Sequence, residues 1–448
     1  MHAINALQHS TIFYEEETPA VAAVSSLAPR PRTCVETGLS ENLLQELVVK
    51  HLHNEGVMEL GQLASRCALP GPVLDDIMAP LRKQGYVEVR GAAADSSALR
   101  FALTDRGRAF ALEALMRDGY VGPAPVPLAQ YVKIIEAQSV HGHHITHQRM
   151  HEAFATTTIR AEILDQLGAA LNSGRATFVY GPAGSGKTYM CQRLARMLGG
   201  PVLIPHAIAV GDNAVRLFDP VVHYPVDRRR SGPELRLREG FDPRFVLCHR
   251  PAVITGGELT LDMLEIRYDG ASRQHHAPLQ LKATNGIYLL DDLGRQRVAT
   301  VDVFNRWIVP LESKQDFLSL ASGARFPVPF DLVLIFSTNL DPAKLADEAF
   351  LRRIGHKIQF CCLTPEEYIA IWRQVCGDRG IEFDPDLVRY VLDDLYPTSK
   401  RPLLACHPRD LLGMALDQAS YIGGARPTPE LLRSAWSSYF VDLKAGED

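Results

Sequence analysis

The chain of 448 residues has no run of 18 or more consecutive apolar residues, the length a membrane-crossing helix requires. Its longest hydrophobic stretches, such as residues 331–340, are strand-sized. Membrane insertion is therefore not expected. The N-terminus lacks a basic segment followed by an apolar one, so no signal peptide is expected either. Its eight cysteines, at positions 34, 67, 191, 248, 361, 362, 376 and 406, form no CxxC pair, and the adjacent pair is too close for an ordinary bridge. They read as buried thiols of a reducing cytoplasm. Nor is there an excess of either charge: a formal net charge of −5 advertises neither nucleic acid nor an anionic membrane.

What is present is an average globular composition, 46% apolar and 22% charged, over a length that suggests about three folded units. Residues 1–38 mix Ala, Pro, Ser and Glu without periodicity and read as a flexible tail. Residues 39–120 carry helical periodicity at 41–56, 58–70 and 71–86, then alternate about a Gly- and Ser-rich turn at 87–104, and close with a further helix. Three helices and a hairpin in this order predict a winged helix. GPAPVP at 122–127 reads as the start of a semi-rigid linker covering 121–153. Inside it His143, His147 and His151 are spaced four apart and would share one helix face able to hold a metal. With no Cys or carboxylate nearby in the sequence to complete the set, they read as a polar helix face.

The helical period of residues 156–174 has the pattern of a capping box and ends at Gly174. Strands then alternate with helices to about residue 362, the texture of a parallel α/β sheet, and residues 363–448 are helical.

The strongest motif is the apolar strand 177–180 followed by GPAGSGKT at 181–188 and a helix. Gly181, Gly184 and Gly186, with Pro182, Ala183 and Ser185 between them, form a tight loop whose N–H groups can face phosphate oxygens. Lys187 supplies a point charge for the β- and γ-phosphates, and Thr188 offers its hydroxyl to Mg2+. The buried strand GIYLLDD at 286–292 supplies the partner acids: Asp291 for the metal and Asp292 as the base that orients water.

With IFSTN (335–339), DEAFLRR (347–353) and HPRDLL (407–412), these motifs fall in the order of the AAA+ ATPases, which residues 155–440 resemble. The resemblance implies a three-layer α/β P-loop nucleotide domain over 154–362, a helical lid over 363–448, ATP and Mg2+ as ligands, and self-association into a ring, a hexamer in its usual form. It also implies that Asn339 positions the attacking water, that Arg352 or Arg353 is a finger reaching a neighbouring subunit's ATP, and that Arg409 contacts ATP from the lid of its own chain. Two departures stand out. The second acid is Asp292 where the pattern has Glu, one methylene longer, which points toward slow hydrolysis or an ATP-gated switch. Lys187 and Asp291 are 104 residues apart, so an insertion is expected, broadly at 211–280. Residues 277–292 resemble the lead-in found in helix-2-insert proteins such as MoxR-like ATPases, and Tyr268-Asp269-Gly270 is a faint candidate for a pore loop.

For partners, the helix expected to enter a DNA groove carries Asp75 and Asp76, and residues 41–120 hold nine basic against eleven acidic side chains. Arg90, Arg100, Arg106 and Arg108 near the wing are the only basic concentration there. Arg228, Arg229 and Arg230 fall in a stretch, 211–282, with eleven basic and ten acidic residues, which reads as a solvated loop. A protein client is favoured. A nucleotide-dependent DNA-binding regulator or initiator, or a scaffold that binds ATP without turnover, are the alternatives.

Overall fold

The computed structural model describes residues 26–90, 99–142, 144–226, 240–399, 401–424 and 426–440. His143, the expected Gly- and Ser-rich turn at 91–98 and Arg228 to Arg230 lie outside the described residues.

The N-terminal unit begins with the helix Glu41–Glu55, capped by the Ser40 hydroxyl accepting from the Leu43 N–H. Strand β1 (Val57–Glu59) replaces the start of the expected second helix, which is confined to Leu60–Cys67. The helix Gly71–Lys83, strands β2 (Val87–Arg90) and β3 (Arg100–Leu103), and the helix Asp105–Arg117 follow. The strands form an antiparallel sheet in the order β1-β3-β2, and Leu44, Val48, Leu63, Leu74, Leu81 and Phe101 fill the core beneath it.

The sequence places a tail to residue 38 and a linker at 121–153; among the described residues, 26–38 and 121–153 both contain buried positions. Ala28 and Thr37 have no exposed surface. The Pro-rich segment supplies strand β4 (Val126–Pro127), and the helix Leu128–Ala137 buries Tyr131, Ile134 and Ile135. Proline has no N–H to give a sheet, but at the end of a two-residue edge strand none is required. Polar groups bolt these segments down. Arg244 and Asp242, both wholly buried, form an ion pair whose guanidinium also donates to the carbonyls of Thr37 and Pro125 at 2.9 and 3.2 Å. Arg250 likewise donates to the carbonyls of Gln138 and Asn285.

Past the helices His147–Ala153 and Ala161–Ser173 comes strand β5 (Thr177–Tyr180). The expected capping box is not formed, since the cap position is Arg160 without a side-chain bond. The helix Lys187–Leu194 leads to β6 (Val202–Pro205), β7 (Ala207–Val210), β8 (Asn213–Arg216), β9 (Phe245–Cys248), β10 (Ala252–Thr255), β11 (Arg267–Asp269), β12 (Gln274–His276) and β13 (Ile287–Leu290). After the helix Thr300–Ser313 come β14 (Gln315–Ser319), β15 (Arg325–Pro329), β16 (Val333–Thr338) and β17 (His356–Gln359).

Five strands make one wholly parallel sheet in the order β10-β13-β16-β5-β17. Alternate residues leave it on opposite faces. Val179, Ile287, Leu289 and Ile335 pack on the side of the helices Ala161–Ser173 and Lys187–Leu194. Phe178, Tyr288, Leu290 and Phe336 pack with Phe304 and Trp307 of the helix Thr300–Ser313. The chain therefore has a three-layer α/β P-loop fold, with β5 between β16 and β17 and its carboxyl end opening on the glycine-rich loop.

The expected insertion is differently drawn. β10, inside the range 211–280, is an edge strand of the nucleotide sheet itself. The accessory sheet, ordered β11-β12-β8-β7-β4, takes one strand from the supposed linker. It shares a core with the β6–β9 pair and the β14–β15 hairpin through Val126, Ile208, Leu247, Leu318 and Phe326. The C-terminal helices Pro365–Asp378, Cys406–Tyr421 and Pro429–Tyr439 close about Trp372, Leu411, Ala415 and Trp436. Among the described residues, no helix is long and apolar enough to cross a membrane.

Candidate functional site

The loop between β5 and its following helix turns through three glycines in the left-handed half of backbone space, Gly181, Gly184 and Gly186, at φ of 144°, 80° and 93°. Two of them are also close approaches. A Cβ on Gly181 would lie 2.0 Å from the Phe360 carbonyl oxygen, and one on Gly184 would lie 2.4 Å from Cys406 Sγ. Gly181→Ala is expected to lower stability by roughly 1–3 kcal/mol, read as a lower melting temperature, because it combines a disfavoured φ with a backbone clash. An unchanged melting temperature would show that the loop can open at no cost.

Lys187, the first residue of the helix, folds back into this loop. Its ammonium donates to the carbonyls of Gly181 and Pro182, each at 2.9 Å, and to Asn339 Oδ1 at 2.8 Å. Burial pushes its pKa down, while Asp291 and Asp292 oppose the fall. Thr188, on the helix after β5, donates at 2.6 Å to Oδ2 of Asp291, which follows β13 on the far side of β16. Asp291 stands one residue past the wholly buried strand β13, its N–H held by the Thr255 carbonyl at 2.7 Å. Asp292 follows at φ 50° and accepts from Asn339 Nδ2 at 2.9 Å. Asn339 stands one residue past the end of β16 and so bridges the lysine and the second acid.

The sequence-predicted residues thus converge, with three qualifications. Ala183 is exposed, whereas Ser185 is buried with its hydroxyl 3.5 Å from the lysine. Arg409 pairs with Asp410 on the lid helix, its side chain two-thirds exposed. Among the described residues, the contacts of Arg352 and Arg353 are with other residues than these. Arg353 is fastened within its own chain by Glu312 at 2.6 Å and the Ala349 carbonyl, while Arg352 is 73% exposed and, among the described residues, its side chain pairs only with Glu348, one helical turn away, at 3.3 Å.

Three contributors carry no obvious motif. Gln296 donates to the carbonyls of both Asp291 and Asp292 and accepts from the Gly294 N–H, tying the acidic turn into shape. Arg160 binds Glu367 at 2.6 Å and the Cys362 carbonyl at 3.0 Å, joining the nucleotide sheet to the lid across the connection after β17. Cys406, at the start of the long lid helix, donates its N–H to the Gly184 carbonyl at 3.0 Å, so lid and loop touch directly.

His407, next to that contact, is buried with Nδ1 2.6 Å from the Tyr396 hydroxyl, and burial pulls its pKa down to about 4. An unfolded chain takes up this proton at the ordinary histidine pKa near 6.5, whereas the folded lid resists it. Stability from this group is complete above about pH 6.5 and declines as pH falls toward 4. Thermal scans should show that decline, and His407→Gln should flatten it. An equal decline in the variant would assign it to other groups.

Comparison with known proteins adds little beyond this geometry. A family described as a domain of unknown function (DUF8689) matches residues 364–438, within the helical lid. The search of curated proteins gives no match. Among solved structures, the RuvB Holliday junction branch migration motor of Thermotoga maritima is 12% identical, over 65% of this chain and 72% of that one, with a TM-score of 0.36. NtrX from Brucella abortus is 13% identical, over 69% of this chain and 57% of that one, with a TM-score of 0.38. The strand order and the phosphate loop, rather than these likenesses, define the fold.

Proposed function

We propose that the chain is an ATP-binding and ATP-hydrolysing AAA+ protein, working as a self-assembled ring that remodels or assembles a protein partner. The observation that carries this reading is the 2.6 Å contact of Thr188 with Asp291, beside the Lys187–Asn339–Asp292 chain of hydrogen bonds. Two hard oxygen donors in contact suit Mg2+, so Thr188 and Asp291 would hold it, directly or through water. When bound, the ion would neutralise negative charge developing on the phosphates. The loop from Gly181 to Gly186 would wrap the phosphates, and the ammonium of Lys187 would exchange two backbone carbonyls for phosphate oxygens. Asn339 then aligns a water that Asp292 deprotonates. Arg409 would reach the nucleotide from the lid after leaving Asp410.

The N-terminal unit supports a winged helix in its element order, and the β11–β12 hairpin between β10 and β13 supports the helix-2-insert type. Residues 39–120 are read as a protein-docking module because three of the four arginines near the expected wing are engaged locally. Arg90 pairs with Glu88, Arg106 donates to the Gln84 carbonyl and lies over the Tyr86 ring, and Arg108 pairs with Asp105. A duplex would have to break these contacts to gain phosphate ones. DNA-dependent regulation would replace this reading if low-salt duplex binding were found and were lost on Arg90→Ala with Arg100→Ala.

Single-turnover phosphate release tests the chemistry. Asp292→Asn should slow release by roughly 100-fold while leaving nucleotide binding intact. Release at the native rate in that variant would remove Asp292 from the base role, and no release from the native protein would leave an ATP-gated scaffold.

A further inference from the structure

The histidines that the sequence leaves as a polar helix face meet a carboxylate in three dimensions. His147 and His151 stand one turn apart on the helix His147–Ala153, with ring centroids 4.1 Å apart. Asp165, on the neighbouring helix Ala161–Ser173, turns one oxygen toward both rings. Its Oδ1 lies 3.3 Å from His147 Nε2 and 2.8 Å from His151 Nε2. The three ligand atoms all lie within 4.8 Å of one another.

We propose that His147, His151 and Asp165 form a binding site for one divalent transition-metal ion of the class that imidazole and carboxylate share, such as Zn2+ or Co2+. Ligand atoms at the usual 2.0–2.1 Å from a tetrahedral zinc stand about 3.3 Å from each other, so the two observed nitrogen–oxygen separations need little adjustment. The same nitrogen of each ring converges on the carboxylate. As a simple hydrogen-bonded pair, both rings would have to carry their proton on Nε2 to satisfy one shared oxygen. An ion in the middle meets all three with their lone pairs. His147 is 73% exposed and Asp165 49%, so ions enter freely and water completes the coordination. Nitrogen donors separate this site from the oxygen pair of Thr188 and Asp291, which suits Mg2+.

The site would act as a clip. Met150, on the buried side of the first helix, already packs with Leu164 and Leu167 of the second, which runs through Gly174 to β5 and the phosphate loop. A metal on the outer side would fix that packing from both edges and make the stability of the nucleotide unit respond to the ion.

The test is titration of EDTA-stripped, nucleotide-free full-length protein with Co2+ and Zn2+, followed by calorimetry and by the visible absorption of Co2+. One equivalent should bind with a rise in melting temperature, and millimolar Mg2+ should not displace it. His151→Ala and Asp165→Asn should each weaken it by roughly tenfold or more. Thr188→Ala, and Cys361→Ser combined with Cys362→Ser, should leave it unchanged. Native affinity in the His147→Ala/His151→Ala double variant, or loss of the ion in the cysteine variant, would overturn the proposal. Asp165→Asn alters an exposed position isosterically, so unchanged binding there counts equally against it if the double variant does not fold.

Discussion

Lys187→Ala is expected to lower steady-state ATP hydrolysis by roughly 100- to 1,000-fold, the range seen when a preorganised charge-stabilising donor is removed from a transition state. The expectation rests on how the ammonium is held. It is 6% exposed, fastened by two carbonyls of its own loop and by Asn339, and Asp291 and Asp292 oppose the desolvation that would neutralise it. The loop is thus shaped about a cation before any phosphate arrives. Removing that cation takes away the attraction for phosphate, leaves the carbonyls of Gly181 and Pro182 without their donor, and frees Asn339 from one of its two partners. Nucleotide affinity, followed with a fluorescent ATP analogue, should fall together with turnover. Hydrolysis at the native rate would mean that the phosphate site lies elsewhere.

Much of this site is legible in the sequence because the chemistry is local. A strand, a glycine-rich turn and a helix in succession can bury only one kind of ligand, and the eight residues from Gly181 to Thr188 carry nearly all of that information. The strand Ile287–Leu290 is legible for a related reason: four apolar residues ending in two acids have little use outside a buried sheet with a polar edge. What is not legible is pairing at a distance. β10 has the same short apolar texture as the accessory strands around it, and only its parallel register with β13 assigns it to the nucleotide sheet. The segment from Gly122 to Pro127 has linker composition, yet Ala124 and Val126 have no exposed surface, because the accessory sheet offers an edge and Arg244 binds the Pro125 carbonyl. Asp165 lies 14 residues beyond His151, a separation with no motif, and meets it only because two helices cross. Asp292 shows the same limit within a motif. Its type reads as a short stand-in for Glu, but its left-handed backbone, held by Gln296, decides where the carboxylate points.

Arg352→Ala should lower turnover by on the order of 1,000-fold, the scale of a lost arginine finger, whereas Arg353→Ala should act mainly on stability. The sequence offers the two as neighbours with equal claim, and their surroundings separate them. A finger must leave its own subunit, so its guanidinium can hold only contacts that solvent already weakens. Arg352 meets that condition: its single ion pair, with Glu348, joins side chains 73% and 85% exposed, the kind that contributes about 0–1 kcal/mol. Arg353 does not, since from just past the helix Glu348–Leu351 it reaches Glu312 and also closes on the Ala349 carbonyl. A finger acting in trans leaves its own subunit's nucleotide site intact, so on this reading Arg352→Ala should still bind ATP, and mixing it with the Lys187→Ala protein should restore part of the activity at interfaces where an intact Arg352 faces an intact phosphate loop. Sedimentation with a non-hydrolysable analogue supplies the independent check, with assembly expected for the native chain. A protein that stays monomeric at every concentration yet hydrolyses ATP would exclude a finger in trans, and full activity in Arg352→Ala with loss in Arg353→Ala would reverse the assignment.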